Sequence, residues 1–433
     1  MLRVFEPPPA APLFSHDPAE IKARYKYWQR RILFSACVGY VFFYFVRKNL
    51  SVAMPAMGRD LHIGKADLGL FLTLHGLLYG VSKFGNGLLA DRANARTFMA
   101  AGLILSAVIN IFFGLSSAVL VLGLLWMLNG WVQGMGFPPC ARLIGHWFSP
   151  KESAMKFSIW NTSHSIGAGL VVVLCGFLVT YNWRLCFFVP AILALLCAGF
   201  LLVSLRDTPP SLGLPEIAGT ESAPARDGFS AALLKQVFGN KHIWFLSLAS
   251  FCVYIVRYTV LDWGPTFLTE MKHVQLGHAA WIVAGFEISG VAGMLACGWL
   301  TDRFFGGRGA RVAVFSMALA GVSALLFWKL PVHSVALSTI LLCLTGFFLY
   351  GPQALVGVVI LNLATKRLAG TAIGFSSIFS YASTIFSGWG LGKLVQQRGW
   401  NAGFGGMLIV CAAGTFLFAL SWGAKAHGYA TTE

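Results

Sequence analysis

Long apolar runs, broken by short clusters of charge, glycine and proline, fill most of the chain. Twelve can be read, at 32–57, 67–90, 97–117, 119–141, 156–180, 184–205, 242–270, 278–300, 312–330, 334–362, 370–394 and 401–423. A helix that crosses the hydrocarbon core of a bilayer needs about 20 mostly apolar residues. The runs show no period-2 alternation, so they predict membrane helices rather than barrel strands. The longest polar interior stretch, 206–241, contains Pro209, Pro210, Gly213, Pro215, Gly219, Pro224 and Gly228 and reads as a linker. The predicted fold class is an all-α membrane protein of twelve helices in two pseudo-symmetric six-helix bundles. Its predicted parts are a tail at 1–31, bundles at 32–205 and 242–423 joined by the 206–241 linker, and a tail at 424–433.

Composition changes this picture little. The 433 residues are 57% hydrophobic and 11% charged, against about 25% charged in soluble domains, which excludes a soluble multidomain chain. The 48 glycines suit close helix packing in lipid. The nine cysteines all lie in apolar segments without CxxC spacing, so they read as small buried hydrophobes, and neither a metal nor a cofactor is expected. No apolar h-region with a cleavage site follows the basic N-terminal tail, so no signal peptide is expected.

The net charge of +16 asks for an account. A nucleic-acid partner is not expected, because the basic residues form no stripe on a soluble module. With the N-terminus placed inside, 21 Lys and Arg fall in inside segments and 7 in outside segments. By the positive-inside rule this predicts both termini in the cytoplasm and makes most of the basic excess topological.

The halves repeat. Arg47 and Arg257 are offset by 210, Gly87 in "GLLADR" and Gly298 in "GWLTDR" by 211, and Pro138 and Pro352 by 214. Trp183 and Trp400 follow at 217, and Phe157-Ser158 and Phe375-Ser376 at 218. Duplicated halves of this kind are a transporter architecture with the site near the bilayer midplane. Gly87, Asp91, Arg92 and Arg96, with Asp302 and Arg303 in the second half, read either as a gate latch at helix ends or as a topogenic charge cluster.

Six ionisable residues interrupt the apolar runs: Arg47, Lys48, Lys83, Arg257, Asp262 and Glu287. Facing lipid at a helix centre, each would cost at least about 2.5–3.5 kcal/mol, so they are expected to face a cavity or one another. Four cations against two acids make that environment cationic. Arginine presents a rigid fork that suits phosphate oxygens, and two repeat-related arginines call for a dianion such as a phosphate monoester. The other reading pairs each arginine structurally with Asp262 or Glu287. Lys48, Lys83, Asp262 and Glu287 read as two ion pairs between the halves, either switching or static. His164 lies mid-run beside Trp160 and Asn161, as a ligand or as a hydrogen-bonded core residue. Tyr40, Tyr44 and Arg47 share one helix face. Tyr254 precedes Arg257 by three and Tyr79 precedes Lys83 by four, so their hydroxyls can serve a phosphate or a sugar, or simply pack.

These residues carry a family resemblance. "YFVRKN" followed by "AMP", "YGVSKF", "DRANAR", "NGWVQGMGFPPCARL", "WNTSHSIGAG", "YIVRYTVLDWGP" and "LYGPQALVG" resemble the patterns of the organophosphate:phosphate antiporter family of the major facilitator superfamily. The polar N-terminal tail and "LDWGP" are most similar to its bacterial hexose-phosphate sensor and transporter branch. The resemblance implies that Arg47 and Arg257 hold the phosphoryl group, with His164 and Lys48 beside it. It implies that Lys48, Lys83, Asp262 and Glu287 form switching pairs and that Tyr381 lies on the substrate side. Where family members often have "AHNVGG", this chain has Ser165 and Ala168, which bears on packing around His164.

The expected function is exchange of a sugar phosphate, glucose 6-phosphate first, for inorganic phosphate across a bacterial inner membrane. Glycerol 3-phosphate and phosphoglycerate are alternative substrates. A receptor that senses external hexose phosphate and signals to a membrane histidine kinase is the second reading. An enzyme is not expected, since no nucleophile–base pair or metal cluster accompanies His164.

Overall fold

The structure is a computed structural model that describes residues 3–90, 93–148, 156–157, 159–216, 238–305, 308–330, 335–363 and 369–424. Thirteen α-helices and no strand occur among the described residues. In chain order they are α1 (Pro18–Asp60), α2 (Lys65–Ala90), α3 (Ala95–Leu115), α4 (Val119–Gln133), α5 (Phe137–Trp147), α6 (Ser163–Leu178) and α7 (Leu185–Ser204). Then come α8 (Lys241–Met271), α9 (Leu276–Phe304), α10 (Gly309–Lys329), α11 (Val335–Leu363), α12 (Ala369–Ala382) and α13 (Leu391–Leu420). Helices dominate because a backbone in lipid must satisfy its own polar groups.

Nine stretches of the described residues are long and apolar enough to cross a membrane. α1 and α2 lie outside that set and carry Arg47, Lys48 and Lys83. One of the nine, 375–420, holds two crossings separated at Gly399, whose φ of 75° interrupts α13. Together with α1 and α2, these stretches overlap each of the twelve runs read in the sequence. α4 and α5 make a single crossing, broken at 134–136 just ahead of Pro138 and Pro139. α12 leads into α13 through a π-helical turn, Ile385–Gly390.

Local chemistry sets several boundaries. α1 begins fourteen residues before the predicted span: Asp17 accepts the Ala19 N–H at 2.9 Å ahead of it, and Pro18 takes the first turn. Asn94 and Asn240 cap α3 and α8 in the same way, through the N–H groups of Arg96 and His242. The nine cysteines are free, and seven are buried.

By contacts the chain divides into two compact units, along a cut that differs from chain order. Unit 1 comprises 1–50, 78–171 and 182–225. Its core gathers Trp28, Phe43, Trp147 and Trp160 with small residues of α3 and α7, which pack along each other. Unit 2 comprises 51–77, 172–181 and 226–433. In it α11 packs on α9 and α10, and α13 on α8 and α10. The end of α1 and the start of α2 therefore belong with the second half of the sequence. Small residues make that possible: Gly69 of α2 meets Gly388 backbone to backbone, and Gly176 of α6 meets Gly277 and Ala280 of α9.

Candidate functional site

In unit 1 the face predicted for α1 is assembled. The Tyr40 ring lies 5.6 Å from Tyr44 and 4.6 Å from Trp160, centroid to centroid, and Tyr44 lies 5.9 Å from the His164 ring. The Arg47 guanidinium sits 3.9 Å over the Tyr79 ring and 5.2 Å from that of Tyr44. Lys83, one turn beyond Tyr79, places its ammonium 3.8 Å over Phe137. His164 Nδ1 meets the Asn161 carbonyl, which orients the ring from within its own helical turn. Arg47 is 9% exposed, Lys48 8% and His164 6%, so the cluster concentrates positive charge out of water. A cation over a ring face is stabilised by about 2 kcal/mol when desolvated. Stacking uses the face of a guanidinium, whereas its N–H groups point outward in the plane, where phosphate oxygens are recognised.

In unit 2 the repeat-related Arg257 is held by side chains. Its Nε donates to the Tyr350 hydroxyl at 2.9 Å, and its Nη2 lies 3.4 Å from Glu287 Oε1. Tyr350 in turn donates to the same carboxylate oxygen. Arg257 is 5% exposed, and Glu287 and Tyr350 are fully buried. Sequence reasoning assigned Glu287 to a lysine of the other half. Within unit 2 it is engaged by Arg257 and Tyr350, the structural pairing of an arginine with this acid, because α9 and α11 bring both acid and hydroxyl to α8. Asp262 is buried one and a half turns after Arg257. Tyr254 is half-buried with its ring 5.5 Å from Tyr258, and Tyr381 is half-buried with its carbonyl accepting the Thr384 hydroxyl.

Sequence reasoning missed Tyr350, although it stands inside the quoted "LYGPQ", two residues before Pro352. It also passed over Asn49, Asn110 and Asn129, all fully buried in unit 1. Of the gate residues, Gly87 and Arg96 are half-buried and Arg303 is exposed. Asp91, Arg92 and the Asp302 side chain lie outside the described residues.

Comparison with known proteins supplies the family. The Major Facilitator Superfamily profile matches residues 36–387. The "Probable hexose phosphate transport protein" of Chlamydia trachomatis is 41% identical, with 98% of this chain and 97% of that protein covered. The chain belongs to the organophosphate:phosphate antiporter family of the major facilitator superfamily. A second member of that family, the "Membrane sensor protein UhpC" of Salmonella typhimurium, is 38% identical over 96% of this chain and 95% of its own. Among solved structures, a bacterial homologue of the lysosomal transporter Spinster in an inward-facing, unoccupied conformation superposes with a TM-score of 0.74. It is 16% identical, with 92% and 96% of the two chains covered, and it shows the shared major facilitator fold. This antiporter-family member is thus a multi-pass membrane protein with the major facilitator fold.

Proposed function

We propose that this family member exchanges a hexose phosphate, glucose 6-phosphate first, for inorganic phosphate by alternating access in a bacterial inner membrane. The observation that carries the reading is the pair of repeat-related arginines, Arg47 and Arg257, each buried and each backed by a tyrosine. Both would hold the phosphoryl group, with His164 and Lys48 beside it. Tyr40, Tyr44, Tyr79, Trp160, Asn161, Tyr254 and Tyr381 would serve the organic moiety. The 41% identity to a protein named for hexose phosphate transport supports this substrate class.

The exchange follows from desolvation. Four buried or half-buried cations, Arg47, Lys48, Lys83 and Arg257, stand against the two acids Asp262 and Glu287, and a surplus of buried positive charge is costly, so closure around a dianion is favoured over closure around an empty site. Lys48, Lys83, Asp262 and Glu287 would trade partners as access changes. With both termini cytoplasmic, the end of α1 and the start of α2 lie outside.

The test is reconstitution. Purified protein in vesicles loaded with phosphate should take up labelled phosphate and release it to added glucose 6-phosphate, and Arg47→Lys should abolish both. Equal net uptake into phosphate-free vesicles would exclude obligatory exchange. Competition by glycerol 3-phosphate and phosphoglycerate ranks the substrates.

A second reading, a hexose-phosphate sensor partnered with a membrane histidine kinase, has a specific observation behind it. The N-terminal tail is docked on unit 1, through Ala11 N–H to Pro210 O and Phe14 N–H to Gly213 O, each at 2.9 Å, and the Tyr25 hydroxyl to Pro215 O. The identity to a protein named as a membrane sensor supports it too. Ligand binding without exchange, together with stimulation of a co-reconstituted kinase, would favour it.

A further inference from the structure

The residue before Arg47 leaves helical geometry. Val46 has φ −97° and ψ 17° in the middle of α1, with neither glycine nor proline next to it. Kinks of this sort have an identifiable cause, and here two side-chain amides meet the Val46 carbonyl. Asn110 Nδ2, from α3, donates at 3.0 Å, and Asn129 Nδ2, from α4, donates at 2.8 Å.

Both amides are themselves tied down. Asn110 also donates to the Ser106 carbonyl at 2.9 Å and accepts from Asn49 at 2.8 Å. The Ser106 hydroxyl donates to Asn129 Oδ1 and accepts from Gln133 at 2.8 Å. None of these five side chains is more than 2% exposed. Burying polar groups is expensive without partners, and connected networks of them specify one arrangement. This one converges on a single carbonyl, one residue from the buried cation.

The described residues of the second half show no such arrangement around Arg257. α8 runs through Val256, the counterpart of Val46, with no such break. At an offset of 211, Ser106 and Asn110 correspond to Met317 and Gly321. There Arg257 is restrained by Tyr350 and Glu287 instead.

We infer that Asn110 and Asn129 are positioning residues for Arg47: by holding the Val46 carbonyl they fix the bend of α1 that aims the guanidinium. The inference rests on Arg47 as a phosphate ligand and deepens that reading. Phosphate affinity on the first-half side is set by a backbone angle held from α3 and α4.

Asn129→Ala retains the Asn110 bond to the Val46 carbonyl; Asn129→Leu removes the donor while keeping the number and branching of the side-chain heavy atoms. In reconstituted vesicles both should raise the phosphate concentration for half-maximal exchange about tenfold, since small misplacements of a binding group carry penalties of that order. The maximal rate per folded molecule should stay within about twofold. A lowered Tm with unchanged half-saturation would mean a purely structural role and overturn the inference. A second arm needs no phosphate. In an Arg47→Cys protein, Asn129→Ala should change the rate of maleimide labelling at position 47, followed on the isolated peptide, while equal rates would overturn the inference. If the wild type neither binds nor exchanges phosphate, the transport reading fails and the labelling arm still decides the positioning role.

Discussion

Arg257 and Glu287 meet at 3.4 Å inside unit 2, and the contact is long because Tyr350 stands between them, bonded to both. A guanidinium locked bidentately on a carboxylate would have less to offer a phosphate, and the phenol prevents that collapse. Tyr350→Phe should let the ion pair close. We expect the half-saturating phosphate to rise about tenfold, in line with a buried hydrogen bond worth roughly 1–3 kcal/mol. Transport assays across phosphate concentration check this, and an unchanged value would remove Tyr350 from the site.

The contact of Gly69 with Gly388 gives a second prediction. A Cβ on Gly69 would press into the Gly388 carbonyl and lie 3.1 Å from the Trp389 Cα. Beside it Thr73 locks the π-helical turn, donating to the Thr384 carbonyl and accepting from the Trp389 N–H, each at 2.8 Å. Such close backbone approach leaves no room for a side chain. Gly69→Val should therefore prevent this packing, lowering exchange at least about tenfold while phosphate binding persists. Exchange rate and binding, measured on the same preparation, separate the two effects, and wild-type exchange would refute it.

How legible this was in the sequence depended on the physics behind each feature. Lipid as solvent forces apolar runs, so the spans could be read. Arg47, Lys83 and His164 stood out because charge inside such runs is expensive. The tyrosine face of α1 followed from helical spacing alone. The extension of α1 back to Pro18 was hidden because that segment is polar except for positions such as Trp28, which packs on unit 1. The bend at Val46 was hidden for a different reason. Nothing in "FVRKN" breaks a helix, and the cause lies in amides more than sixty residues away. The partner of Glu287 was likewise set by tertiary packing of α8, α9 and α11, which one sequence does not reveal.

The docked tail titrates. Burial, and then the Glu216 carboxylate, push the Tyr25 hydroxyl up to about 12, against about 10 in an unfolded chain. The folded form thus holds the proton more tightly. Its contribution to docking is fully present below the unfolded value and is lost as pH rises through the folded one. Protease cleavage within residues 3–17 should therefore accelerate between about pH 10 and 12. Tyr25→Phe should give the faster rate already at neutral pH, and if it does not, the Pro215 contact is not what holds the tail.

Asp207 supplies the last prediction. Its carboxylate is fully buried, pairs with Arg142 at 3.1 Å, and accepts the Ala95 N–H at 2.8 Å where α3 begins. Two functions meet on one side chain: it neutralises a mostly buried cation and satisfies a helix N-terminus. Asp207→Ala should cost about 3–5 kcal/mol, since it takes the carboxylate away from a mostly buried guanidinium, and the Tm in detergent should fall accordingly. Adding Arg142→Met removes the charge that lost its carboxylate, so the double variant should be more stable than Asp207→Ala alone. The Ala95 N–H would still lack its acceptor while Asn94 continues to cap Arg96, a loss of about 1 kcal/mol, which keeps the double variant below the wild type. If instead the two substitutions added independently, the pair would not be the source of the stability, and Asp207 would act only as a helix cap.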